Sequence, residues 1–157
     1  MMISGTENLC DIFSIFHDGE ISHFAVDGAN LDLEVEIMYL AERVNPNYRR
    51  FRVSLQNVKN LSFQTWPKDP HMVPVTLSSP KHIFKPELEI LSGELDGNLI
   101  KVICNQALPS CEYCGGELYL QADHAVVRDE GDREYSIDDL RNLSKDYWDE
   151  WSKRNSL

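Results

Sequence analysis

Bases are scarce in this chain of 157 residues: 15 lysines and arginines face 26 acids, for a formal net charge of −11. A surface this short of cations disfavours nucleic acid or an anionic membrane as a direct partner, because neutralising phosphates requires a basic face. Long apolar runs are also missing, and none approaches the roughly 20 residues that span a bilayer. The opening, Met1 to Asp18, has no basic leader and carries Glu7 and Asp11, which makes a poor export signal and predicts a cytoplasmic protein. Four cysteines without an export signal do not predict a disulfide framework.

Several catalytic signatures are absent. No serine sits in a Gly-x-Ser-x-Gly elbow, and no glycine loop is built to cradle phosphate. The histidines are His17, His23, His71, His82 and His124, and no two show the i, i+4 spacing of zinc hydrolases. Without a nucleophile–base pair the chain is expected not to be an enzyme. Internal repeats, low-complexity tracts and Gly/Ser linkers are missing too, so a single domain over 1–157 is expected, burying about 70% of its unfolded surface.

What is present is alternation. Leu31, Leu33, Val35, Ile37 and Tyr39 occupy every second position, with Asp32, Glu34 and Glu36 between them. Successive strand side chains face opposite ways, so this predicts a strand with one buried and one wet face. Phe51, Val53 and Leu55 alternate in the same way with Arg50, Arg52 and Ser54. An antiparallel pairing opposing Leu33 to Leu55, Val35 to Val53 and Ile37 to Phe51 also brings Glu36 to Arg52. Further strands are expected near Ile21–Val26, Leu61–Trp66, Gly116–Ala122 and His124–Asp129, the last two continuing a meander. Asp96-Gly97 between two apolar runs predicts a hairpin opposing Leu91 to Val102. The interval from Pro67 to Pro86 holds five of the seven prolines and reads as loop and edge structure, a candidate binding loop.

Both ends are helical in pattern. Leu9, Ile12, Phe13 and Phe16 suit a short helix or docked arm. Near the other end, Ser136 is placed to cap a helix over about 137–153 with Asp138 and Asp139 in its first turn. Ile137, Leu140, Leu143, Tyr147, Trp148 and Trp151 form its apolar stripe, with the tryptophans expected to anchor on the sheet. The fold class is therefore α+β: a mainly antiparallel β-sheet meander with a C-terminal amphipathic helix packed on one face.

Cys111-Glu-Tyr-Cys114-Gly-Gly is the most specific local motif. Two thiols three apart, before glycines whose amides can approach the sulfurs, make half of a zinc knuckle. Cys104, His124, His82 or Cys10 is needed to complete it, although Cys104 shares a hairpin face with Ile100 and Val102 and reads as core. A zinc-stabilised module using Cys111 and Cys114 is one alternative; two cysteines in a glycine turn is the other. A redox pair lacks the strand-to-helix context of such motifs.

Phe16-His17-Asp18-Gly19, followed by strands of acid–apolar alternation, resembles small bacterial immunity-type proteins over about residues 9–66. That resemblance implies a single-domain inhibitor of a cognate toxin in the cytoplasm, presenting acids to a basic nuclease site. It makes His17 and Asp18 turn-forming rather than catalytic, and it does not extend to Cys111–Gly116. Ten acids and four bases fall between Asp123 and Glu150. With Asp32, Glu34 and Glu36 expected to be matched by arginines, the expected contact for a basic protein partner is Asp129, Glu130, Asp132, Asp138 and Asp139. An unrecognised enzyme and a homo-oligomer whose function lies in assembly stay open as further alternatives.

Overall fold

The acid–apolar alternation of the thirties forms the middle of an antiparallel sheet that has eleven strands among the described residues. The computed structural model describes residues 1–156. In chain order the elements are β1 (Ile3–Ser4), α1 (Thr6–Ile15), β2 (Glu20–Asp27), β3 (Asn30–Glu36), α2 (Met38–Val44), β4 (Arg50–Gln56), β5 (Lys59–Pro67) and β6 (Thr76–Leu77). They continue with α3 (Pro80–Ile83), β7 (Leu88–Asp96), β8 (Leu99–Gln106), β9 (Tyr113–Gln121), β10 (His124–Asp129), β11 (Glu134–Tyr135) and α4 (Ile137–Asn155). Among the described residues no helix is long and apolar enough to cross a membrane.

Leu31, Leu33, Val35 and Ile37 are buried while Asp32, Glu34 and Glu36 keep partial exposure, as the alternation predicts. The register differs by two residues from the expected one: Leu33 opposes Val53, Val35 opposes Phe51, and Glu36 opposes Arg50. The reason is α2. Met38, Leu40, Ala41, Glu42 and Arg43 are good helix formers, and they end the strand at Glu36 and take Tyr39 out of it. A shift of two preserves which face each side chain occupies, so the burial pattern is unchanged.

The hairpin at Asp96 is also displaced. Asp96 pairs with Leu99, so Gly97 and Asn98 make the turn, with Gly97 at a positive φ of 60°. A bulge at Leu91 then sets Gly93, not Leu91, opposite Val102. Gly93 has a packing role: a Cβ there would lie 2.7 Å from the Cys10 carbonyl oxygen, so the glycine lets α1 lie directly on β7.

The strand order is β1-β10-β4-β3-β2-β7-β8-β9-β5-β6, with β11 pairing β10. Two local meanders, β2–β3–β4 and β7–β8–β9, meet where β2 pairs β7 through Glu20–Glu89 and Ile21–Leu88. The chain passes between these halves through Asn57-Val58 and again through Ala122-Asp123. Thus β10 returns to β4 rather than extending from β9. At the far edge β6 is a two-residue strand, in keeping with the prolines around it.

One core joins the strands to α1, whose Leu9, Ile12 and Phe13 are fully enclosed. The C-terminal helix lies on the same side, with Leu140 buried and Ser136–Asp139 forming a reciprocal capping box. Its tryptophans do not anchor on strands as expected. Trp148 stacks on His17 at 5.3 Å between ring centroids and meets Tyr39 edge-on at 5.9 Å, while Trp151 stays 46% exposed. The α4 helix packs against the sheet at β11 and also against α1 and α2, to which the Arg141–Asp11 and Arg43–Glu150 ion pairs tie it. His17, Asp18 and Gly19 form the turn out of α1, closed by Gly19 N–H donating to Phe16 O at 3.0 Å and Asp18 N–H to Ile90 O at 2.7 Å.

Tyrosines in this packing hold their protons strongly. Burial raises Tyr39 above its ordinary value of 10.0, and burial with the Asp129 hydrogen bond raises Tyr135. Burial and the neighbouring Cys111 push Tyr113 up to about 12. A raised folded-state value means that the folded chain binds more protons than the unfolded one above pH 10. The associated stability is therefore complete below about pH 10 and is lost as pH rises through the folded values. Urea midpoints are expected to fall steadily above about pH 10; midpoints level to pH 12 contradict this linkage.

Candidate interaction surface

The acids expected to meet a partner are largely occupied within the molecule. Asp129 opposes Phe51 and points inward, 6% exposed. Its carboxylate accepts from Gly131 N–H at 2.8 Å, Arg133 N–H at 3.1 Å and Tyr135 O–H at 2.8 Å. It organises a turn and, buried there, is not presented to a partner. Glu130 accepts from the Arg49 N–H and lies 3.8 Å from Arg50 Nε. Asp139 belongs to the α4 cap, and its hydrogen bond from the Ser136 backbone holds its carboxyl below the usual range. Asp138 lies 3.2 Å from Arg141. Asp132, at the exposed turn with φ 62°, is the freest of the five. Asp129, Glu130 and Asp132 share a shallow depression with Arg50 and Arg52, whereas Asp138 and Asp139 belong to α4.

The wet face is organised in cross-strand rows. One row runs Arg50, Glu36, Glu20, Glu89 and Asn105 over β4, β3, β2, β7 and β8. Its first pair is matched in charge, with Arg50 Nη2 3.5 Å from Glu36 and Nη1 3.6 Å from Glu34. Beyond Glu36 the matching stops: Glu20 has a glutamate on either side. A hydrogen bond that the protonated Glu20 carboxyl donates to Glu87, then burial and repulsion from Glu87, Glu89 and Glu36, hold Glu20 above its usual range. Like charges directly opposite destabilise a sheet.

Glu20, Glu87 and Glu89 open onto a cleft of about 540 Å³ that also takes in Lys85, Asn105 and Gln106. None of these glutamates stands out in the sequence, because the cluster depends on β2 pairing β7 across more than sixty residues of chain. The signal available in advance was Glu87-Leu-Glu89, an alternation like that of β3.

Cys111 and Cys114 do not gather the ligands of a zinc site. Among the described residues no group of three or more His, Cys, Asp or Glu side chains is placed to hold a metal. Cys104 is enclosed in the core, where burial pushes its thiol up to about 12. Cys111 lies beside Tyr113, whereas the Cys114 thiol is 3.4 Å from the Trp66 carbonyl. The following glycines serve strand packing. A Cβ at Gly115 would sit 2.2 Å from Cys104 O, and one at Gly116 would sit 2.3 Å from Gln64 O, so β8, β9 and β5 pack together only with glycine here.

In comparisons with known proteins, no family model, curated protein or solved structure matches the chain.

Proposed function

We propose that the protein is a non-catalytic, acidic binding protein of the cytoplasm, an immunity-type inhibitor whose partner is a basic protein. The observation that carries this reading is the row of three glutamates, Glu36, Glu20 and Glu89, side by side on neighbouring strands with Glu87 against the central one. Surfaces of ordinary origin intersperse charges, and a local rule broken at a cost in stability is characteristic of a functional site. A lysine or arginine from a partner entering the 540 Å³ cleft relieves the repulsion at Glu20 and exchanges a strained carboxyl pair for charge-assisted hydrogen bonds.

The contact accordingly centres on Glu20, Glu87 and Glu89, with Asp132 as a peripheral acid. Net charge of −11 attracts a basic protein over distances longer than contact, which accelerates encounter and selects against acidic partners. Affinity capture from the native cell, with the whole chain as bait, is expected to recover a basic protein at low salt. Its association rate is expected to fall at least tenfold between about 20 and 300 mM salt, as the Debye length shortens. A rate indifferent to salt contradicts the proposal, as does recovery of an acidic partner.

A further inference from the structure

On the far side of Lys85 from the glutamates lies a second cleft, of about 340 Å³, within the size range of small-molecule sites. Val73, Val75 and Leu77 line it from the edge of the sheet, together with Cys111 in the loop before β9 and Tyr113 at the start of that strand. Val73 and Val75 are 79% and 54% exposed, a concentration of apolar surface that the fold itself does not use.

The charge here is opposite to that of the rest of the molecule. Between Pro67 and Pro86 three lysines, Lys68, Lys81 and Lys85, accompany a single acid, Asp69, in a chain whose net charge is −11. Ion pairs of lysine among the described residues involve Lys101 and Lys145, so Lys85, which borders both clefts, has no carboxylate within 4 Å. Lys85 and His82 both line the cleft, and Glu112 is its one carboxylate. An apolar floor with an ammonium at its rim that is held in no close ion pair suits a ligand that is aliphatic at one end and anionic at the other.

A peptide strand is a poorer occupant. Val75 turns its N–H and C=O inward to Thr65, at 2.9 Å each, which leaves Pro74 on the free side without an N–H to donate. An edge interrupted by proline is a poor template for strand addition.

We infer that this cleft binds an amphipathic carboxylate, its aliphatic body on Val73, Val75 and Leu77 and its carboxylate at Lys85. The site shares Lys85 with the glutamate cleft, but its aliphatic wall lies outside that cleft and the inference does not depend on the basic-partner reading. Decanoate below its micellar concentration is the probe, and the readout is alkylation of Cys111 by iodoacetamide, followed by peptide mass spectrometry. Cys114 does not line the cleft and serves as the internal control.

Decanoate is expected to slow labelling of Cys111 at least fivefold and to leave Cys114 unchanged. Lys85→Gln is expected to raise the half-protecting concentration about fivefold, the scale of one partly exposed ion pair. Glu112→Gln lowers it, and exposed Val75→Asp abolishes protection with the fold intact. Equal protection by decanol or decyltrimethylammonium overturns the inference, as does no protection by decanoate. Protection by an alternating Val/Lys decapeptide where decanoate fails also overturns it, in favour of a strand-binding edge.

Discussion

Replacing Glu20 and Glu89 together by glutamine is expected to stabilise the protein while weakening its attachment to a basic partner. Each carboxylate faces another carboxylate across the sheet, Glu20–Glu36 and Glu20–Glu89. Glu20 has a raised carboxyl value, so its repulsion is absent below its unfolded value of 4.5 and develops as pH rises through the folded one. At pH 7 glutamine removes the like-charge pairs, for a gain of about 0.5–1 kcal/mol in urea unfolding. The same change lowers the association rate with a captured basic partner about tenfold, because the local field that guides encounter is gone. Opposite signs for stability and binding distinguish a contact from a merely tolerated defect. If the double variant binds as fast as the parent, the glutamate row is not the contact.

Asp129→Ala, which removes the buried carboxylate at the end of β10, is expected to cost about 3 kcal/mol of stability. Three donors converge on this carboxylate, two backbone amides and the Tyr135 hydroxyl, and alanine leaves all of them without a partner. The turn from Asp129 to Arg133 also closes onto the Asp129 backbone, through Asp132 N–H and Asp129 N–H at 3.1 Å each. An asparagine side chain retains the shape and an acceptor oxygen, so Asp129→Asn is expected to lose about half as much. Asp132→Asn at the exposed tip stays within about 0.5 kcal/mol. Urea unfolding of the three variants gives the comparison directly. Equal stability of Asp129→Ala and Asp132→Asn removes the role assigned to the buried carboxylate.

Local periodicity made much of the fold legible. The faces of β3 and β4, the capped C-terminal helix and the core position of Cys104 all follow from spacing along a short segment. Register was less accessible, because nothing in the alternation itself announces that α2 ends the strand at Glu36. Long-range pairing was inaccessible. That β2 meets β7, and that β10 pairs with β4 rather than with β9, depends on which hydrophobic faces find one another in three dimensions.

The candidate site inherits that limit. Asp129 reads as a surface acid in a run of acids, and only the pairing with β4 turns it inward. Glu20 and Glu89 look like isolated surface charges until two distant strands bring them together. The Cys-Gly-Gly motif is ambiguous for a related reason, since glycine serves close strand packing as readily as it serves a metal knuckle.

The return of β10 to β4 has a consequence for synthesis on the ribosome. Residues through Gln56 can assemble β2, β3 and β4, yet the outer side of β4 stays unpaired until His124–Asp129 has been made. A nascent chain therefore carries an open hydrogen-bonding edge through roughly half of its translation, long enough to recruit neighbouring chains. Arg50 and Arg52 on that strand supply charge that discourages such recruitment before any partner protein is encountered.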